Sequence, residues 1–286
     1  MRKRFIRDLI NLNSKKNNIY LIVNDLGYNV IEPFSKLYPK RIFNAGVSEQ
    51  SMMGMSAGIA SEKCQVFAYS IANFPTFRCA EQIRNDVDYH KLPVTIVSVG
   101  SGLSYGNLGY THHALQDYAL MRSFPNMLIV SPGNNEELTS ALKYIFKNPQ
   151  PYYLRLDKDE INNNDKKLKK IEPGYLNKIY GGNKKKVILT TGNVQHIAKK
   201  INTKNFSIYS VPIWGKCVKK VISKNLLRFN EIITIEDHLE DGGFGSWVNE
   251  SLINSKKRIN IKNKFISDNA VSQVGSKDYL MKKFGP

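Results

Sequence analysis

Cysteine, acidic residues and long apolar runs are all scarce in this chain, and each shortage closes off a class of function. Three cysteines, Cys64, Cys79 and Cys217, occur with no Cys-x-x-Cys spacing. They offer neither a disulfide framework nor a thiolate metal site, so buried, inert thiols are expected and no metal centre. No apolar stretch approaches the roughly 20 residues that cross a bilayer. The opening MRKRFIRDLINL also lacks the apolar segment of a secretory signal, so a cytoplasmic protein without membrane contact is expected. Aspartate and glutamate number 24 against 42 lysines and arginines, a formal charge of +18. Such a balance often serves nucleic acid. Here the lysines are scattered among Asn and Ile (NLNSKKNN, NNNDKKLKK, NSKKRINIKNK), and no aromatics are interleaved to stack on bases. Nucleic-acid binding is therefore not expected.

What is present suits a sizeable core. The 286 residues are 42% hydrophobic, enough for two domains of ordinary size. Strand-like runs at 19–23, 65–69, 93–99, 127–130 and 152–156 alternate with helical stretches at 49–61, 75–89, 115–124 and 135–146. The last opens with SPGNNEEL, where Asn134 or Asn135 can cap and the glutamates suit the positive helix end. Alternation of this kind predicts an α/β fold with mainly parallel sheets. Residues 1–157 form the first expected domain, and the polar stretch 158–186, with DKDEINNNDKKLKK and GGNKKK, reads as a linker. A second alternating series over 187–286 has strands near 187–191, 207–210 and 232–235 and ends in the Gly-rich turn EDGGFGS.

Glu49 is the residue that most needs a reason. It stands at the head of a helix of small and apolar residues, FNAGVSEQSMMGMSAGIA. An acid there gains only about 0.3–1 kcal/mol from the helix dipole. Together with NFPTFRCAEQIRNDV, SYGNLGYTHHALQDYALMRSFPNM and ITIEDHLEDGGFGS, in this order and spacing, the stretch resembles the carboxy-terminal half of transketolases and deoxyxylulose-phosphate synthases. The resemblance covers nearly the whole chain and is greatest to the separate carboxy-terminal subunit of a split transketolase. It implies a thiamine-diphosphate pyrimidine-binding domain followed by a transketolase carboxy-terminal domain.

By that resemblance Glu49 is the glutamate that hydrogen-bonds the aminopyrimidine of thiamine diphosphate and so helps strip the proton from the thiazolium carbon. An apolar setting would keep such an acid protonated. Val47 matches a position lining the same ring, and Phe74, with Phe77 as the alternative, matches the aromatic that stacks on it. His112 matches a histidine beside the reacting carbon, a task suited to an imidazole titrating near neutrality. His113 is its rival, since adjacent residues point in different directions. Asp117 stands at the position of an acid in the synthases. Arg122 matches an arginine those enzymes use on substrate phosphate, and Arg155 is a second candidate; either could instead be an interdomain salt bridge. His238, beside the Gly-rich turn, reads as structural.

The departures are informative. Gly100 stands where transketolases carry a phosphate-contacting histidine, and Leu108 where they carry an aspartate that reads sugar hydroxyls. The pair puts ordinary pentose phosphates in doubt and suggests a modified sugar, deoxygenated or nucleotide-linked, from surface-polysaccharide synthesis, with open space at Gly100. No Gly-Asp-Gly motif followed by Asn is found, the family's device for magnesium and the diphosphate. The resemblance therefore implies a heterotetramer with an amino-terminal diphosphate-binding subunit that supplies the magnesium ligands, catalysing two-carbon ketol transfer. Two alternatives are the beta subunit of a 2-oxo acid dehydrogenase first component and a non-catalytic assembly protein of the same fold.

Overall fold

The computed structural model describes residues 1–16, 18–158, 171–201 and 205–286. In chain order the first unit holds α1 (Arg2–Lys16), β1 (Ile19–Val23), α2 (Glu32–Leu37), β2 (Ile42–Asn44), α3 (Glu49–Ser61) and β3 (Gln65–Ile71). It continues with α4 (Asn73–Phe77), α5 (Ala80–Gln82), β4 (Val94–Val99), α6 (Asp117–Met121), β5 (Leu128–Val130), α7 (Asn135–Lys147) and β6 (Tyr152–Leu156). The second unit holds β7 (Asn177–Tyr180), β8 (Lys186–Thr190), α8 (Gln195–Lys200), β9 (Ser207–Ser210), β10 (Ile213–Trp214) and α9 (Lys219–Leu226). It ends with β11 (Glu231–Ile235), α10 (Phe244–Leu252), β12 (Asn260–Lys264) and α11 (Lys277–Phe284).

Two mainly parallel sheets result, as the alternation predicts. Among the described residues the first has seven strands in the order β10-β5-β6-β4-β3-β1-β2, and the second five in the order β12-β11-β8-β9-β7. β4, VTIVSV, is buried at every position, the pattern of a parallel strand covered on both faces. Helix starts follow local chemistry: Asn134 caps α7 by accepting from Glu137 N–H at 2.8 Å, with Glu136 and Glu137 in the first turn. β10 crosses back to the first sheet, pairing antiparallel with β5 through Ile213 and Val130. One apolar cluster accordingly runs through both units, from Met52, Met53 and Ile83 to Trp214, Phe244 and Trp247.

Several expectations need correction. Of the stretch expected as a linker, residues 159–170 lie outside the described residues, while 177–180 form β7, antiparallel to β9. Its alternating burial is that of an edge strand, whose polar half reads as loop in the sequence. The helix expected over 75–89 is broken: α4 stops at Phe77, Cys79 adopts a non-helical φ of −112°, and α5 runs into a π-helical turn over Ile83–Asp88. The helix expected over 115–124 shrinks to α6. Of the three thiols expected to be buried only Cys79 is; Cys64 is half-buried and Cys217 exposed.

Candidate functional site

In an open parallel sheet, ligands bind where loops leave the carboxyl ends of the strands. The loops after β2, β3, β4 and β6 all emerge at that end of the first sheet, and they carry Glu49, Phe74 with Arg78, Tyr105 with His112, and Lys158 in turn.

These side chains form a continuous lane. Glu49, the first residue of α3, is 6% exposed and its Oε1 accepts from Arg78 Nη1 at 2.8 Å. The sequence predicts an apolar setting for this acid; the half-exposed Arg78 guanidinium is the partner found. Arg78 lies 4.3 Å over the Phe74 ring. Phe74 meets His112 edge-on at 5.2 Å, and His112 meets Tyr105 at 6.1 Å. Lys158 Nζ lies 5.2 Å from the Tyr105 ring centre, and its carbonyl accepts from Arg2 Nε at 3.3 Å. Arg78, Tyr105, Lys158 and Arg2 were not identified from the sequence.

The loops are held in register by Asn73, whose amide donates to the carbonyls of Thr111 at 3.1 Å and His113 at 2.9 Å. The two histidines diverge as adjacent residues must. His112 is half-buried in the lane, with Nδ1 2.9 Å from Thr111 Oγ1. Burial, and then the Arg78 charge, push its pKa down, so the neutral imidazole is available for proton transfer. His113 is fully buried and turned toward the Gly106 carbonyl. Behind Glu49, burial and the neighbouring carboxylate push the Cys79 thiol up to about 12, which removes it as a nucleophile.

Other candidates sit elsewhere. Val47 is 80% exposed, a rim residue with nothing of this chain over it. Phe77 is exposed, and Phe74 is the ring that lies against Arg78 and His112. Asp117 and Arg155 cannot meet a substrate phosphate, because both are fully enclosed and bound to each other at 2.7 Å. Arg155 spends its five donors on Asp117, Tyr118, Asp237 and the Ala114 and Asp237 carbonyls. Arg122 is likewise committed, to Glu250 and, at 3.3 Å, to the Gly243 carbonyl, tying the end of α6 to α10. The space expected at Gly100 is filled: a side-chain carbon there would overlap the Tyr105 ring. Leu108 is 55% exposed. The EDGGFGS turn closes on a buried carboxyl of this chain, Glu236, which accepts from Phe244 and Gly245 N–H at 2.6 and 2.7 Å and whose pKa burial pushes up to about 8. His238 is buried and stacked on Tyr118, in keeping with a structural role. Among the described residues no group of three or more His, Cys, Asp or Glu could hold a metal ion.

Residues 1–163 match the family described as transketolase, pyrimidine binding domain. The chain belongs to the transketolase family. A putative transketolase C-terminal section from Methanocaldococcus jannaschii is 31% identical, with 100% of this chain and 92% of the relative covered. An apulose-4-phosphate transketolase subunit from Actinobacillus succinogenes is 30% identical over 89% of this chain and 84% of its own length. A 1-deoxy-D-xylulose-5-phosphate synthase from Clostridium perfringens is 34% identical over 80% of this chain but only 38% of the synthase. Among solved structures, one described as a split gene transketolase, inactive beta4 tetramer, superposes with a TM-score of 0.84 at 26% identity, covering 99% of this chain and 92% of that one. The span therefore corresponds to the carboxy-terminal section of a split transketolase. No helix among the described residues is long and apolar enough to cross a membrane.

Proposed function

We propose that this chain is the pyrimidine-side subunit of a two-subunit, cytoplasmic, thiamine-diphosphate-dependent enzyme that transfers a two-carbon ketol unit between sugar phosphates. The observation that carries the reading is Glu49: a buried carboxylate at the carboxyl edge of a parallel sheet, reached through an exposed guanidinium and flanked by an aromatic ring. These residues fit the aminopyrimidine end of the cofactor. Because the Arg78 guanidinium is half-exposed, it can turn out to water and yield Glu49 to a ring nitrogen. Phe74 and Val47 offer the ring apolar faces. When bound, thiamine diphosphate supplies an acidic thiazolium carbon that becomes the nucleophile toward a ketose carbonyl.

Glu49 holds a proton at the pyrimidine nitrogen, and neutral His112 takes or returns protons at substrate oxygens. Lys158 and Arg2, at the far end of the lane, grip the substrate phosphate in place of Arg122 and Arg155. The magnesium and diphosphate ligands come from a separate amino-terminal subunit, in a heterotetramer with two copies of each chain. A solved relative described as an inactive tetramer of beta chains alone supports this division. A nucleotide-linked substrate reaching past Gly100 is not retained, since Tyr105 fills that space; a compact modified sugar phosphate is. The test is co-purification from the native cell, then turnover with magnesium and thiamine diphosphate. Activity that appears only with the companion chain supports the reading, and full activity from this chain alone contradicts it.

A further inference from the structure

We propose that Tyr105 determines which sugar the site accepts, presenting ring carbons where hydrogen-bonding side chains would otherwise read hydroxyls. The inference rests on the ketol-transfer reading of the same site. Gly100 leaves β4 with φ +95°, a conformation that L side chains rarely adopt, and any side-chain carbon there would overlap the Tyr105 ring. Glycine and tyrosine are therefore one device: the first is emptied so that the second can lie across it.

The loop that carries the ring is pinned by its backbone. Gly106 N–H donates to Leu103 at 2.9 Å and Leu108 N–H to Tyr105 at 2.8 Å. Gly275 N–H, just before α11, donates to the Gly106 carbonyl at 3.2 Å, so the loop is clamped from outside as well. On this pinned loop the half-buried ring spans the lane between His112, at 6.1 Å, and the Lys158 ammonium, at 5.2 Å. Leu108, exposed on the same loop, adds a second apolar group. A sugar held by its phosphate at Lys158, with its reacting carbon near His112, lays its middle carbons against these groups. A hydroxyl pressed on ring carbons loses its water partners without gaining an acceptor, whereas a C–H packs well. The favoured substrate is a compact sugar phosphate lacking a hydroxyl on the carbon that faces Tyr105.

The experiment uses the complex with its companion subunit and compares ribose 5-phosphate with its 2-deoxy and 3-deoxy analogues as acceptors. Binding without donor is followed by titration calorimetry, and kcat/KM is measured with donor. The unaltered complex and Tyr105→Phe should favour one deoxy analogue by at least about tenfold, and Tyr105→Ala should erase that preference. Tyr105→Gln, which keeps bulk but offers hydrogen-bonding groups to a hydroxyl, should erase it too and covers the case in which the alanine variant does not fold. Ratios that stay unchanged in folded Tyr105→Ala or Tyr105→Gln overturn the role of Tyr105, as does a preference of the unaltered complex for ribose 5-phosphate. Exchange of the cofactor's thiazolium proton, measured alongside, separates the two failures: exchange with unmoved ratios refutes Tyr105 alone, and its absence in the unaltered complex refutes the underlying reading.

Discussion

Replacing Arg155 by methionine should unfold the junction between the two sheets at much lower denaturant, and the structure gives the scale. Arg155 is on β6, with no exposed side-chain surface, and it binds Asp117, equally enclosed, and Asp237, which follows β11. Methionine fills similar space but strands two carboxylates. Breaking a buried pair by deleting one partner costs roughly 3–5 kcal/mol. For a chain of this size that is a fall in Tm of about 10 °C. The deficit should also depend on pH. Burial already raises the Asp237 pKa, and Arg155 opposes that rise. Without the guanidinium the folded pKa stands further above the unfolded one, so protonation favours the folded state and stability is lost as pH rises through the folded pKa. The assay is urea unfolding followed by Trp214 and Trp247 fluorescence at pH 5 and pH 8, with the larger loss expected at pH 8. A loss under about 1 kcal/mol at pH 8, or an equal loss at both pH values, refutes the reasoning. A raised KM for sugar phosphate at unchanged stability would return Arg155 to the substrate.

Two further outcomes follow from the histidines. Burial pushes His238 down to about 4. Since its folded pKa is lowered, the unfolded chain takes up the proton first, and stability falls as pH drops from about 6.5 to 4, by up to about 3 kcal/mol. His238→Gln should remove that share of the acid loss in urea titrations at pH 7 and pH 5; an unchanged pH dependence counts against it. His112, lowered by burial and by Arg78, should give the complex an activity profile whose acid limb lies below the ordinary histidine value. Arg78→Met should move that limb upward, and a limb already at the ordinary value in the unaltered complex contradicts the assignment.

Glu49, Phe74 and His112 were legible as candidates because each sits in a stretch whose order and spacing carry the family resemblance, and the structure brings them to the carboxyl end of one sheet. Arg78 was in plain view in NFPTFRCAEQ, but a charged residue on a short helix reads as a solvated face until its partner is placed. Lys158 was hidden by the lysine-rich composition around it. That Arg155 could be an interdomain salt bridge was legible, but its partners were not: Asp117 and Asp237 are 38 and 82 residues away, and only the closure of both sheets brings them together. Gly100 carried half of a signal. A missing side chain was visible in the sequence, but not that the ring five positions on would occupy its place. β7 and β10 escaped for a related reason, since an edge strand and a two-residue strand carry almost no hydrophobic pattern of their own.

The central claim is that Glu49 works on the pyrimidine of thiamine diphosphate in a site completed by another subunit. The direct measurement is the rate of deuterium exchange at the thiazolium carbon in the reconstituted complex, by quenched-flow NMR, for the unaltered chain and for Glu49→Gln. The glutamine fills the same space beside Arg78 but carries no acidic proton, so the complex should assemble and bind cofactor while exchange falls by at least about a hundredfold. Exchange at a near-normal rate in the Glu49→Gln complex would contradict the account.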